Sequence, residues 1–426
     1  MAIIKKVHLS PIFMKTLFPI ITIFCAFICC NGIGSKEAGK ETPKTDSVKS
    51  AVKTETNTPQ APKTLNQTFG PFNPDNQFNN ITAVLSGLKG QAHKLNYLFD
   101  SLAWSENQEF IDESWKKLER KRLKGMRDWA AKEFVKPNAE AKVVFYPFSG
   151  PDYLTADAFF PNADKYIMLG LEPVGKLPDL KKFKKGEHIE YVNDFKESLG
   201  DIFDKSYFIT RKMLHDFGSN KVNGLLPVLT FFIRKTGHEI ADVKYLYRFK
   251  QDSIIERPYD VQMMDRENPK DKKKPFGVRI DFVKGDKQKS VYYFKYDVSN
   301  KFFNDTCAFY KYIDQDKNVV TYIKSASYLL HNFFMSNMRD LILKNSKWII
   351  QDDTGMPFKF FVEKNEWDVK LYGQYARPVS DFKWLTLQKP LQDAFKKDSA
   401  SIHDLPFHLG YHWGSKKDVI IYASKK

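Results

Sequence analysis

Residues 141–173 read AKVVFYPFSGPDYLTADAFFPNADKYIMLGLEP, and the fold follows from how this stretch is punctuated. A short apolar run ends at Pro147. A turn of Ser149, Gly150, Pro151 and Asp152 breaks it, a helix-forming apolar segment follows, and a second apolar run ends at Glu172. Short apolar runs bounded by turn residues are the signature of strands buried on both faces. The order strand, turn, helix, strand is a βαβ unit. It places the Ser149–Asp152 turn and Glu172 at the carboxyl edge of a sheet, where open α/β folds bind ligands. Further on, residues 277–296 alternate as strand, Gly285-Asp286 turn and strand, the pattern of a β-hairpin. A crossover unit beside a hairpin predicts a mixed α/β fold, with helices on the faces of a mixed β-sheet.

A helical block over residues 76–136 precedes this unit. Ser105-x-x-Gln108 reads as a capping box ahead of Phe110, and Ile111, Trp115, Leu118, Met126, Trp129 and Phe134 recur at helical spacing as a core face. Between them Lys116, Lys117, Arg120, Lys121, Arg122 and Lys124 form a basic stripe, read as a solvated face. Toward the C-terminus, residues 208–214 and 225–233 are apolar enough for buried helices, and 243–249 alternate like a strand with one wet face. Residues 266–275 read as a polar loop and 321–343 as a helix apolar on one side. No second linker divides residues 69–426, which are expected to form one large domain.

The first thirty residues carry Lys5, Lys6 and Lys15 and then the apolar run TLFPIITIFCAFICC, Thr16 to Cys30. Its length falls short of the roughly twenty residues of a membrane-spanning helix, and Pro19 interrupts it, so it reads as a cleaved secretory signal. Its end, Phe27-Ile28-Cys29-Cys30-Asn31, resembles a bacterial lipoprotein signal. That resemblance implies cleavage before a Cys that then carries lipid. Cys30 is favoured over Cys29 because the small Cys29 would precede the cut instead of bulky Ile28. Residues 31–68 are rich in Lys, Glu, Thr and Pro and hold no aromatic residue, the composition of a disordered polar tether.

Across 426 residues, 42% hydrophobic and 28% charged, wholesale disorder and a multispan membrane protein are excluded. The net charge of +16 invites an anionic partner, but only 11 of the 67 basic residues are Arg. Bidentate phosphate recognition favours Arg, so the charge is read as a solvated Lys-rich surface and no nucleic-acid partner is expected. The expected partners are the membrane, through the lipid anchor, and an envelope protein or glycan. No cofactor is expected. The spacing from Gly150 to Glu172 matches that of dinucleotide-binding domains, but one glycine stands where the fingerprint needs three. Cysteines occur only at 25, 29, 30 and 307, so there is no disulfide framework, and Cys307 reads as a small buried apolar residue.

Candidate site residues fall in several groups. Ser149, Asp152 and Glu172 stand at the sheet edge, where helix capping is the simpler account of the first two. Asp352 and Asp353 end a short apolar strand; paired carboxylates suit a hard cation or acid–base work, and an Asp-Thr-Gly turn uses Asp without chemistry. Ser327 and His331 would be neighbours on a helix. Tyr372, Tyr375 and Arg377 suit a sugar or phosphate group. His408 and His412 would lie about 13 Å apart along a strand, too far for one zinc, so no metal site is expected. The stretches YPFSGPDYL, FFPNADKYIMLGLEP, QDDTGMPFKFF, WDVKLYGQYARP and LPFHLGYHW resemble those of an uncharacterised family of secreted or lipid-anchored bacterial proteins. The resemblance implies a shared domain over about residues 140–415 and no particular activity. The expectation is therefore an exported, lipid-anchored bacterial envelope protein that binds or assembles without catalysis. The alternative is an envelope hydrolase or transferase, and it requires Ser149, Asp152, Glu172, Asp352, Asp353 and Arg377 to converge.

Overall fold

In a computed structural model, the described residues are 71–426 apart from 185, 206, 209–221, 250–252, 261–273, 383–384, 398–400, 413 and 415–416. The signal, the Cys30 lipidation site and the tether lie outside them, as do most of the expected 208–214 helix and 266–275 loop. Residues Gln67–Lys426 form one compact unit.

The strands are β1 (Val143–Tyr146), β2 (Lys165–Gly170), β3 (Glu239–Phe249), β4 (Ser253–Pro258), β5 (Gly277–Lys284), β6 (Lys287–Lys295), β7 (Val319–Ile323), β8 (Ser346–Gln351), β9 (Trp367–Gly373) and β10 (Val419–Lys425). They form a single ten-stranded mixed sheet in the order β4-β3-β5-β6-β2-β1-β7-β8-β10-β9. β6, β2, β1, β7 and β8 run parallel, with Val143 opposite Lys165 and Val144 opposite Val320 fixing the register around β1. The predicted hairpin is β5–β6, turned at Gly285 with φ 58°. β10 runs antiparallel between β8 and β9.

Each face of the sheet is covered. Val144, Tyr146, Tyr166 and Tyr322 pack on one side beneath the N-terminal helices and the helices Tyr153–Phe159, Glu187–Asp204 and Leu226–Lys235. Phe145, Ile167, Leu169 and Ile323 pack on the other beneath Ala308–Asp314 and Ser336–Asn345. Alternate residues of one strand thus enter different cores, which is why the parallel strands read as unbroken apolar runs. The Tyr153–Phe159 helix carries the chain from β1 to β2 on one face, and Ser336–Asn345 carries it from β7 to β8 on the other. The loops leaving the adjacent strands β1 and β7 therefore diverge, and a crevice opens between them at the carboxyl edge, the topological switch point of an open α/β sheet.

Several expectations are corrected. Residues 321–343 are not one helix. Val319–Ile323 completes β7, the chain turns at Ser325, Ser327 and Tyr328, passes through short 3-10 turns at Leu329–His331 and Phe333–Met335, and becomes α-helix at Ser336. The β-branched and aromatic run Val-Val-Thr-Tyr-Ile slots into the parallel sheet, and that pairing outweighs the helical periodicity. The Ser105-x-x-Gln108 box lies inside the Leu102–Leu118 helix, which starts after Ser101. The basic stripe is not uniformly solvated, because a π turn over Glu119–Leu123 shifts the helical phase and brings Arg122 inward to donate to Ile202 O at 3.1 Å. Cys307 is half-buried, and its Sγ caps the Ala308–Asp314 helix by accepting from Tyr310 N at 3.3 Å.

Candidate functional site at the switch point

The loops after β1, β2 and β7 enclose a cavity of about 100 Å³ lined by Ser149, Asp152, Glu172, Lys324, Ser325 and Ser327, among others. Both loops at the switch point are conformationally unusual. Phe148 (φ 61°) and Gly150 (φ 52°) follow β1, and Ser325 (54°), Ser327 (51°) and Tyr328 (57°) follow β7. Non-glycine residues seldom adopt this left-handed region, and held positions of this kind cluster at functional sites.

Asp152 anchors the centre. Its carboxylate accepts from Thr155 N at 3.2 Å, so it caps the Tyr153–Phe159 helix, and also from Thr155 Oγ1 at 2.6 Å and Tyr146 OH at 3.0 Å. Lys324 Nζ pairs with it, and both side chains are 2% exposed. Burial pulls the Lys324 ammonium below the ordinary lysine range, and the Asp152 charge opposes that. Burial likewise lowers Arg122, against the fields of Asp152 and Asp418. Ser149 does not share the capping role; its Oγ donates to the Gly150 and Leu169 carbonyls at 3.1 and 3.2 Å. Glu172 folds back over the edge of β2, where Leu171 N donates to it at 3.1 Å and Tyr293 OH at 3.2 Å. This requires Gly170, because a Cβ there would overlap Glu172 Oε2.

Asp352 and Asp353 sit beside this cavity, behind the β7 loop. Asp352 holds the loop by accepting from Ser325 N at 2.8 Å and from Thr354 N at 3.0 Å, so the turn-forming reading applies to it. Burial and the neighbouring Asp353 charge raise its pKa. Asp353 accepts from Tyr328 OH at 2.6 Å and pairs with His412 Nε2 at 3.0 Å. Burial disfavours the charged imidazole of His412, but the Asp353 bond and charge outweigh it and raise the pKa. His408 takes another carboxylate, Asp418, at 2.6 Å. The segment before β10 is thereby tied at both ends, and the two imidazoles do not share a site. Between them Tyr411 OH meets Ser327 Oγ at 2.7 Å and donates to Ser325 O at 3.2 Å. Gly410 lies so close that a Cβ would stand 2.7 Å from Asp352 Oδ2 and 3.0 Å from Ser325 Oγ.

The structure thus brings Ser149, Asp152 and Glu172 to one cavity with the Asp352–Asp353 pair against its wall. Of the other candidates, Ser327 also lines the cavity and the rest do not. Tyr372 belongs to one core, edge-on to Trp129 at 4.9 Å with its hydroxyl on Glu133 at 2.6 Å, and Tyr375 belongs to the other. Arg377 is exposed beyond the end of β9. Strand alternation sends Tyr372 to one face of the sheet, and the turn after Gly373 carries the next residues away. Ser327 and His331 do not meet as on a helix, because left-handed turns separate them; Ser327 bonds Tyr411 and the His331 ring packs on Tyr328. Among the described residues no group of three metal-ligating side chains forms a cation site.

No protein-family profile, curated protein or solved structure matches this chain.

Sequence reasoning missed Lys324, Ser325, Arg122, Tyr411 and Gly410 as site residues. Only Lys324 left a signal, as a charge set between apolar residues at a strand end.

Proposed function

We propose that this is an exported, lipid-anchored bacterial envelope protein whose body binds a small polar ligand in the switch-point cleft without chemically altering it. One observation carries the reading: a cavity lined by buried charge and hydroxyl groups is held open between two loops of left-handed backbone at the sheet's carboxyl edge. Ligands favour that place in α/β folds. Binding is preferred to the hydrolase or transferase alternative on the state of the backbone donors. Ser325 occupies the strained turn where a nucleophile would sit, but the next N–H, that of Ala326, already donates to Thr354 Oγ1 at 2.8 Å. An acyl-transfer site needs that donor for the developing oxyanion. Arg377, which the alternative also requires, lies elsewhere on the surface. The anchor rests on the Cys29-Cys30 signal and the polar tether.

Two experiments test the two halves. Intact-mass analysis of the membrane-fraction protein beside a Cys30→Ala variant is expected to show a diacyl-sized increment that the substitution abolishes; an unmodified soluble chain overturns the anchor. Saturation-transfer NMR with a mixed set of sugars, amino acids, dicarboxylates and inorganic phosphate is expected to find a binder on the full chain. That binder is expected to be lost in Leu329→Trp, which fills the cleft from its rim. Binding indifferent to Leu329→Trp, or no binding, overturns the cleft as a ligand site.

A further inference from the structure

The charge and hydroxyl pattern of the cleft specifies more than a polar ligand. This step rests on the reading of the cleft as a binding site and names the class of its occupant. The ammonium of Lys324 is committed to Asp152, and Glu172 adds a second carboxylate to the lining. Asp352 and Asp353 stand just behind the wall. The N-terminus of the Tyr153–Phe159 helix, where a dinucleotide phosphate would rest, is already capped by the Asp152 carboxylate. Asp353 is balanced by His412, and the cation of the lining, Lys324, is matched by Asp152, so a phosphate or carboxylate ligand would meet the Glu172 carboxylate in a desolvated setting.

What the cleft does offer is hydroxyls and rings. Ser149, Ser325, Ser327 and Tyr411 present groups that both donate and accept. The Ser325 Oγ is buried without a hydrogen-bond partner among the described residues, an orphan that a ligand hydroxyl would satisfy. At the mouth Tyr207 and Tyr411 meet edge-on at 4.6 Å, and Phe148 and Phe208 extend the apolar wall against which the C–H face of a sugar ring packs. A cavity of about 100 Å³ holds about three waters at their liquid share of roughly 30 Å³ each, so it seats one hydroxyl-bearing edge of a sugar ring. We infer that the occupant is an uncharged sugar or polyol, recognised by the Ser149, Ser325 and Ser327 hydroxyls and rejected if it carries an acidic group.

The test uses the full chain and four named probes, D-glucose, N-acetyl-D-glucosamine, D-glucuronate and inorganic phosphate, in saturation-transfer NMR with wild type, Ser325→Ala and Leu329→Trp. Melting temperatures near that of wild type certify that the variants fold. The expected result is transfer to a neutral sugar and none to either anion, with about fivefold weaker binding in Ser325→Ala and loss in Leu329→Trp. Transfer to glucuronate or phosphate that Leu329→Trp abolishes overturns the ligand class and leaves the cleft as the binding site. Transfer that Leu329→Trp does not change, or none to any probe, overturns the class as well, and in the mixed-set screen the same indifference overturns the site.

Discussion

Separating Asp152 from Lys324 tests the centre of the site most directly, because the two residues depend on each other unequally. Asp152 keeps three other donor contacts when the lysine is removed, from Tyr146 OH, Thr155 N and Thr155 Oγ1. Lys324 loses the carboxylate that offsets its burial at 2% exposure. Breaking a buried pair from the side that strands a charge costs about 3–5 kcal/mol. Asp152→Asn keeps a good helix cap and isolates that term, whereas Asp152→Ala adds about 1 kcal/mol for the lost cap. Lys324→Met is expected to cost less, about 1–3 kcal/mol. At roughly 2.1 cal/mol/K of unfolding entropy per residue, a body of this length shifts by about 1.3 °C per kcal/mol, so Asp152→Asn lowers the melting temperature by about 4–7 °C. In the double variant Asp152→Asn/Lys324→Met both charges are gone, and much of the loss is recovered. The pH dependence supplies a second signature. Lys324 holds its proton less tightly in the fold than in the unfolded chain, so the deficit of Asp152→Asn shrinks as pH rises toward the lysine range. Calorimetry of the four proteins settles it. A cost for Asp152→Asn below about 1 kcal/mol, or a double variant equal to the sum of the singles, refutes the pairing as the centre of the site.

Other outcomes follow from the same geometry. His412 has a raised pKa in the fold, so its bond to Asp353 contributes fully below the usual 6.5 and is lost as pH rises through the raised value; Asp352, also raised, acts in the same direction. Hydrogen exchange of residues 405–412, corrected for intrinsic rates and compared with β10, should show protection falling with pH in wild type and a shallower fall in His412→Gln, where only Asp352 remains. A flat wild-type profile disproves the tie. Gly170→Ala would put a Cβ into Glu172 Oε2 and 2.9 Å from Tyr293 OH, displacing Glu172. It is expected to cost about 1–3 kcal/mol in calorimetry and to weaken cleft binding in the NMR assay, and unchanged binding removes Glu172 from the site.

The sheet was legible in the sequence where burial leaves a local pattern. Residues 143–146 and 165–170 are strands because a parallel strand covered on both faces must be apolar throughout, and 277–296 announces its turn with Gly285. Residues 319–323 were not legible as a strand, since the apolar spacing they share with the helix Ser336–Asn345 suits a helix and only pairing with β1 and β8 decides otherwise. The site divides in the same way. Ser149, Asp152 and Glu172 belong to a single crossover unit and could be placed from it. Their partners Tyr293, on β6, and Lys324, just past the end of β7, are 121 or more residues away, and nothing local predicts contacts at that separation. Arg122 was hidden for another reason, because one π turn rotates it off the solvated face.

Buried charge alone does not carry the proposal of a binding cleft, and the contrast between the charged clusters of this protein shows what supports it. Arg279 is tied to Asp281 at 2.7 Å and to Glu256 at 2.9 Å, and Lys289 lies 3.9 Å from Asp157, all largely buried. Those groups sit on strands or a helix of ordinary backbone, and such pairs fix register at little net gain in stability. The Asp152–Lys324 cluster differs in its surroundings. Of the seven described non-glycine residues with positive φ, four are Phe148, Ser325, Ser327 and Tyr328, on the two loops beside it. Two of the other three are Asn318 and Asn365, a residue type that enters this region readily. Strain of about 1–3 kcal/mol at a residue persists only where surrounding structure enforces it. Here the enforcing bonds are Asp352 to Ser325 N, Thr354 Oγ1 to Ala326 N and Tyr411 OH to Ser327 Oγ. A chain that needed only a stable core at this edge would fill it with apolar side chains and relax the loops. The coincidence of strained backbone, desolvated charge and open volume at the β1/β7 switch point is what supports the proposed binding site, since stability alone would not call for it.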